Sequence, residues 1–374
     1  MQLVATGWLV LGLTDSPASL GLNAAFQAVP ILVFSLVGGV VADRLDRYRL
    51  MIGAQVAQLV PDLALAALVA TGTVEVWHVY VYSLVGATIR GLSTPARQAF
   101  VPSLVPRSAL LSAIALNSIL WQGAAVLGPS VAGLILATWG TPGNFYLNAG
   151  SDLVNLVLLL LIRVPAAPLR ASTRSPWQGL ASGARYAWGQ PSVRALLLAV
   201  AGVSLFGRSY TQLMPVFARD VLAVGPGGLG LLLTMPGLGT ILAALGLATA
   251  GNLPHKGRWF LAAATALGVA LLVFAFSTRF VLSLAVLLVV GAAGTASSTL
   301  SNTLLQEQVD DRRRGRVMGF YMAATQGASP LGALPGGLLA ELWGGPAAVG
   351  LGALGLLALV ITLGTRTDAV RRLS

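Results

Sequence analysis

The chain has 374 residues, of which 56% are hydrophobic and only 9% charged, far below the ~25% charged of a soluble domain. A formal net charge of +11 invites a nucleic-acid reading, but position excludes it: apart from Arg208, Arg219 and Arg279, the basic residues sit on one set of alternating loops and the helix ends beside them, the pattern that orients a membrane protein and meets anionic lipid headgroups. There is no cysteine, hence no disulfide and no thiolate metal site.

In chain order, Met1–Leu13 is apolar but too short to cross ~30 Å of hydrocarbon at ~1.5 Å per residue. It also lacks the basic opening of a signal peptide. The chain is therefore expected to begin inside a helix, with a natural start upstream that supplies roughly 20 to 30 residues more. Asp15–Ser19 makes a polar outer turn. Longer apolar segments follow at 20–41, 50–70, 76–94, 109–139, 145–163, 194–218, 228–250, 259–277, 280–304, 317–342 and 346–365. Each is long enough to span a bilayer or nearly so. Basic loops lie at 42–49, 95–108, 164–193, 251–258, 305–316 and 366–374, whereas the opposite connections are short and nearly free of arginine. Counting the stub, this predicts twelve spans with the C-terminus inside.

The long connection 164–193 carries Trp177, Leu180, Ala184 and Trp188 at helical spacing, with Arg185 on another face. It reads as an amphipathic helix lying on the cytoplasmic headgroups. It divides the chain into an N-terminal bundle (1–163), a linker (164–193) and a C-terminal bundle (194–374). The halves show signs of repetition. Val105-Pro106-Arg107 corresponds to Val309-Asp310-Asp311, Gly128-Pro129 to Ser329-Pro330, and the arginine loop 43–49 to His255-Lys256-Gly257-Arg258, where the Asp-Arg pair is gone.

Several chemistries are set aside on the same grounds. Gly225-x-Gly227-x-x-Gly230 matches a dinucleotide fingerprint formally, but it follows no strand and precedes an apolar span. A phosphate-binding G-x-x-x-x-G-K-[ST] sequence is absent and the single lysine is Lys256, so ATP is not the energy source in this chain. His78 and His255 are far apart and both near span ends, which reads as interfacial placement and not as metal ligation. No Ser-His-Asp or His/Glu metal grouping falls within one span, so no enzyme activity and no cofactor are expected.

Gly39, Asp43, Arg44, Arg47 and Arg49, at the end of the first full span, resemble the loop between the second and third helices of major facilitator superfamily transporters. That loop reads G-x-x-x-D-R-x-G-R-[KR]-[KR]; Asp46 stands here for its second glycine and can pair locally with Arg49. The opening stub, Thr94-Pro95-Ala96-Arg97-Gln98-Ala99 with Val105-Pro106, Gly207-Arg208-Ser209-Tyr210 and Arg314-Gly315-Arg316-Val317 are similar to the siderophore and drug exporter branch of that superfamily. The resemblance implies an all-α membrane protein of two pseudo-symmetric six-helix bundles, the first helix incomplete, working by alternating access around a midplane cavity. It also implies that Asp43 docks on the start of the eleventh helix and latches the halves, a helix N-terminus being a favourable place for a carboxylate. The other reading of Gly39, Asp43, Arg44 and Arg47 is a charge cluster that sets topology. Gly128-Pro129-x-x-Ala132-Gly133 is similar to the motif of exchangers; glycine lets backbones approach and proline permits a bend, and tight packing alone is the other reading.

Polar residues inside spans are costly unless they face protein or water. Ser204, Arg208 and Thr211 share one face of the seventh span, and Gly291, Thr295, Ser298 and Asn302 one face of the tenth. Gln55, Gln58 and Asp62 do so in the third, and Asn148, Asp152 and Asn155 in the sixth. In the superfamily spans 1, 4, 7 and 10 line the cavity, so Ser204, Arg208, Thr211, Thr295, Ser298 and Asn302 are the substrate-contact candidates. Arg208, near mid-depth, needs water, a carboxylate or a bound anion. It holds an acidic group of the substrate or pairs with Asp62 or Asp152. Coupling needs a carboxylate exposed to each side in turn, and Asp62, Asp152 and Glu341 are available. The expected function is export of a small organic molecule by proton antiport across a bacterial cytoplasmic membrane, the partners being that molecule, protons and lipids, and the chain working as a monomer. Uptake on the same fold, and a non-transporting membrane sensor or assembly partner, are the alternatives.

Overall fold

The computed structural model describes residues 2–44, 46–100, 105–106, 109–162, 188–251 and 253–366. Every regular element among them is helical. The helices are α1 (Gln2–Thr14), α2 (Pro17–Arg44), α3 (Arg47–Ala70), α4 (Val76–Phe100), α5 (Leu110–Thr138), α6 (Gly140–Leu161), α7 (Pro191–Gly207), α8 (Tyr210–Val216), α9 (Gly225–Ala250), α10 (Lys256–Ala275), α11 (Phe280–Gln308), α12 (Asp311–Trp343) and α13 (Gly345–Arg366), with a π-helical turn at Phe217–Val221 after α8. This is the arrangement that the apolar segments predict, to within a few residues at each end. Eight of these helical runs are long and apolar enough to cross a membrane. In hydrocarbon the helix is the form in which a single segment pairs all its own backbone groups. Exposed Val60, Leu161, Val281 and Ile361 give the outer faces their apolar character.

Two compact units make up the fold. Unit 1 comprises residues 1–173 with Gly225–Gly230, and unit 2 residues 174–224 with 231–374. In unit 1, α2 packs along α4 and α3 along α6. The Ser83 hydroxyl donates to Asn23 at 2.7 Å between α2 and α4, and the Tyr48 hydroxyl to the Leu159 carbonyl at 2.9 Å between α3 and α6. In unit 2 a core of Leu196, Val200, Phe260, Leu300, Leu304 and Tyr321 joins α7, α10, α11 and α12. Lys256 and Glu307 pair between the ends of α10 and α11.

Asp46, the departure from the superfamily loop, has a local purpose. Its carboxylate accepts the backbone N–H of Arg49 at 3.0 Å and caps the N-terminus of α3, satisfying one of the donors a helix leaves open there. The pairing expected with Arg49 is thus made through its main chain. The seventh span, expected to be continuous over 194–218, is broken between Gly207 and Tyr210. Gly207 weakens the helix, and the Ser209 hydroxyl takes the Leu205 carbonyl, competing with the backbone ladder. Pro215 supplies no N–H within α8, and the chain widens to a π turn directly after it.

Candidate functional site

The polar stripes of the third and sixth spans meet in unit 1. Helical spacing puts Gln55, Gln58 and Asp62 on one face of α3 and Asn148, Asp152 and Asn155 on one face of α6, and the two faces pack together. Gln55 Nε2 donates to Asp152 Oδ1 at 2.8 Å and to the Asp152 carbonyl at 3.1 Å. Asn155 Nδ2 donates to Gln55 Oε1 at 2.9 Å. Asp62 is fully buried. Its Oδ1 accepts from Asn148 Nδ2 at 3.2 Å, from Gln58 Nε2 at 3.2 Å and from the Tyr82 hydroxyl of α4 at 2.6 Å. Arg90, also of α4, lies close enough to interact electrostatically with Asp62, Asp152 and Tyr82. Its Nη1 donates to Gln2 Oε1 of α1 at 2.8 Å.

Tyr82 and Arg90 are the members that sequence reading missed. Tyr82 is hidden in an apolar run and Arg90 was assigned to the basic end of the fourth span. The structure places Arg90 ten residues before the end of α4, which corrects that assignment. An arginine followed by ten more helical residues, between two and three turns after Tyr80 and Tyr82, was the signal available.

In unit 2 the break interrupts the face shared by Ser204, Arg208 and Thr211. Ser204 is buried in α7. Arg208 is exposed at the end of α7. Thr211 Oγ1 donates to the Arg208 carbonyl at 2.9 Å, closing the gap. Between α7, α10, α11 and α12 lies a small cavity lined by Ser204, Ser297, Ser298, Ser301 and Thr325 together with Val200, Val203 and Phe260. The face of α11 is occupied within the unit. Thr295 donates to Thr240 of α9 at 2.9 Å, the Ser298 carbonyl accepts from the Tyr321 hydroxyl at 2.9 Å, and Asn302 Oδ1 accepts from Gln306.

Gly128, Pro129 and Gly133 lie in α5. The opening turn of α9, which belongs to unit 1, crosses them there. A Cβ on Gly133 would come 2.6 Å from the Gly230 Cα, and one on Gly230 2.9 Å from the Pro129 carbonyl oxygen, so glycine is required on both sides. Glu341 is exposed in the last turn of α12, remote from Asp62 and Asp152 in the chain. Gly39, Asp43 and Arg44 close α2, and Arg47 opens α3; their side chains lie outside the described residues, as does the linker over 163–187. His78 accepts the Glu75 N–H at 3.0 Å and stacks on Trp77 at the start of α4. No grouping of three or more metal-ligating side chains occurs among the described residues.

Helices long and apolar enough to cross a membrane, in two units that each hold buried polar groups, define a multi-pass membrane protein. Comparison with known proteins is specific. The chain belongs to the transmembrane secretion effector family of the major facilitator superfamily, whose model it matches over residues 1–370. It is 28% identical over 355 residues to the multidrug efflux pump Tap of Mycolicibacterium fortuitum, covering 92% of this chain and 86% of that one. With the enterobactin exporter EntS of Shigella boydii it shares 29% identity over 331 residues, 87% of this chain and 78% of the other. Its fold is that of the crystal structure of the nucleoside transporter NupG, with a TM-score of 0.78 at 12% identity, covering 97% and 95% of the two chains.

Proposed function

We propose that this protein exports a small organic molecule of the siderophore or drug type across the bacterial cytoplasmic membrane in exchange for protons. It works by alternating access, with the C-terminus on the cytoplasmic side, and Arg208 holds an acidic group of the cargo. The observation that carries the reading is Arg208. Its guanidinium is exposed, within the 31-residue apolar run Pro191–Val221, and has no hydrogen-bond or ion-pair partner among the described residues. An arginine at such a depth costs ~2.5–3.5 kcal/mol on insertion scales unless water or an anion compensates it. The structural-pairing alternative loses support, because Asp62 and Asp152 are engaged inside unit 1. Kinship to an efflux pump and a siderophore exporter supports export and the class of cargo, and the carboxyl groups of Asp62, fully buried in α3, and Asp152, partly buried in α6, support proton exchange.

The test is transport by everted membrane vesicles from a host stripped of its own pumps, with enterobactin and ethidium as probes. Accumulation of at least one probe is expected when the vesicle interior is acid, and a protonophore should collapse it. Arg208→Gln should lower enterobactin accumulation about tenfold or more while expression holds. Arg208→Lys should restore part of it, since the charge returns without the planar fork. Accumulation only under the reversed gradient would make the protein an importer, and insensitivity of both probes to the gradient would remove proton exchange.

A further inference from the structure

The break in the seventh span changes which residues share its open face. Ser204, one turn before Arg208, is buried and lines the serine cavity among α7, α10, α11 and α12. Beyond the break, Tyr210, Leu213, Met214, Pro215 and Val216 are buried, and Thr211 and Gln212 are the half-buried positions of α8. Packing within unit 2 fixes that rotation. Tyr210 meets Phe274 of α10 edge-on, with ring centres 6.4 Å apart, and Phe217 stacks on the same ring at 4.6 Å. A Cβ on Gly332 of α12 would overlap the Leu205 carbonyl and the Ser209 hydroxyl, so the break itself sits tightly against α12. Arg208 and Ser209 keep right-handed backbone angles, and the chain goes on turning through the break. Gln212 therefore stands about one turn beyond Arg208, at the spacing where side chains on a helix are neighbours, with Cβ atoms ~5–6 Å apart.

The Gln212 side chain has no hydrogen-bond partner among the described residues, although it lies within the apolar run Pro191–Val221. An amide at such a position is costly unless water or a ligand bonds it. The Thr211 O–H donates to the Arg208 carbonyl at 2.9 Å, so its oxygen offers lone pairs alone. The open face thus joins the donors of one guanidinium to two acceptors, Gln212 Oε1 and Thr211 Oγ1. A bare anion satisfies the donors and leaves the acceptors unmatched once water is displaced. We infer that Gln212 is a specificity-determining residue of the cargo site, and that the site takes an ionised oxygen with a hydroxyl on the neighbouring carbon, the O−–C–C–OH unit that α-hydroxy acids and singly ionised catechols present. The inference rests on the cargo reading of Arg208 above and names the chemistry that the site selects. Arg208 donates to the anionic oxygen, for which its planar guanidinium is suited. The cargo hydroxyl donates to Gln212 Oε1, and the Gln212 N–H returns a hydrogen bond to the acid. Because aromatic packing holds α8, both groups are presented without rearrangement, which lowers the cost of binding.

Equilibrium dialysis of radiolabelled mandelate and phenylacetate against the purified full chain in lipid nanodiscs tests this without any transport, since the two acids differ by one hydroxyl. The wild type should bind mandelate about tenfold more tightly than phenylacetate. Gln212→Leu should abolish that preference, weakening mandelate about tenfold and leaving phenylacetate unchanged. Gln212→Glu, which sets a carboxylate beside Arg208, should weaken both acids, and so should Arg208→Gln. Equal binding of the two acids by the wild type, no saturable binding of mandelate, or binding indifferent to Gln212→Glu overturns the inference. So does a mandelate preference that survives Gln212→Leu; if Arg208→Gln still weakens both acids in that case, the Arg208 reading stands and the role of Gln212 alone fails. If both acids behave as expected while everted vesicles accumulate neither enterobactin nor ethidium, it is the export reading that fails and the recognition site that stands.

Discussion

Tyr82 and Ser297 show how differently two buried hydroxyls weigh on this protein. The Tyr82 hydroxyl donates to a buried carboxylate at 2.6 Å, and a hydrogen bond to a charged group contributes ~1.5–3 kcal/mol, beyond the ~1 kcal/mol of a neutral pair. Ser297 is 1% exposed, and its Oγ, at the edge of the serine-lined cavity, has no hydrogen-bond partner among the described residues. An unpaired buried hydroxyl has lost its water without gaining a bond in return. Tyr82→Phe should therefore destabilise by ~2 kcal/mol, read as a lower apparent Tm of the purified protein in detergent. Ser297→Ala should be neutral or stabilising by up to ~1 kcal/mol. A lower Tm for Ser297→Ala would mean instead that the hydroxyl bonds a water held in the cavity.

At the scale of elements, helix crossings are set by where side chains are absent. A Cβ on Gly291 of α11 would overlap the main chain of Pro236 in α9, whereas Gly294, three residues on, has nothing within 4 Å. Gly291→Ala should force the helices apart and cost ~1–3 kcal/mol as overpacking does. Gly294→Ala should gain up to ~1 kcal/mol from helix propensity. Apparent Tm values of the two variants should thus move in opposite directions, and equal shifts would show that the crossing yields easily. The same contrast marks what sequence could tell. Apolar run length gives nearly every helix, because spanning hydrocarbon is a matter of composition and length. The break at Arg208 is invisible to it, since it depends on Ser209 drawing off the Leu205 carbonyl and on Pro215. The stripes of α3 and α6 were legible from spacing, but spacing within a helix does not say which stripes face each other. Only packing brings Asp62 beside Asp152 and adds Tyr82 and Arg90, and it ties up Thr295 in a bond to Thr240 that helical spacing cannot foresee.

For the whole molecule, the direction of transport has meaning only once orientation is fixed, and orientation follows from charge. The connection 71–75 carries no basic residue, whereas the loop 251–258 holds His255, Lys256 and Arg258. Basic loops stay on the cytoplasmic side because they resist translocation. The absence of native cysteine makes this directly measurable. Thr73 and Pro254 are both exposed, on opposite kinds of connection. In intact cells a membrane-impermeant maleimide should label Thr73→Cys and leave Pro254→Cys untouched, and permeabilised cells should label both. The reverse pattern would place the basic loops outside and would turn round the direction in which the proposed exchange carries its cargo. Labelling of both sites in intact cells, with the cells shown to be sealed, would mean that the charge asymmetry is too weak to fix a single orientation.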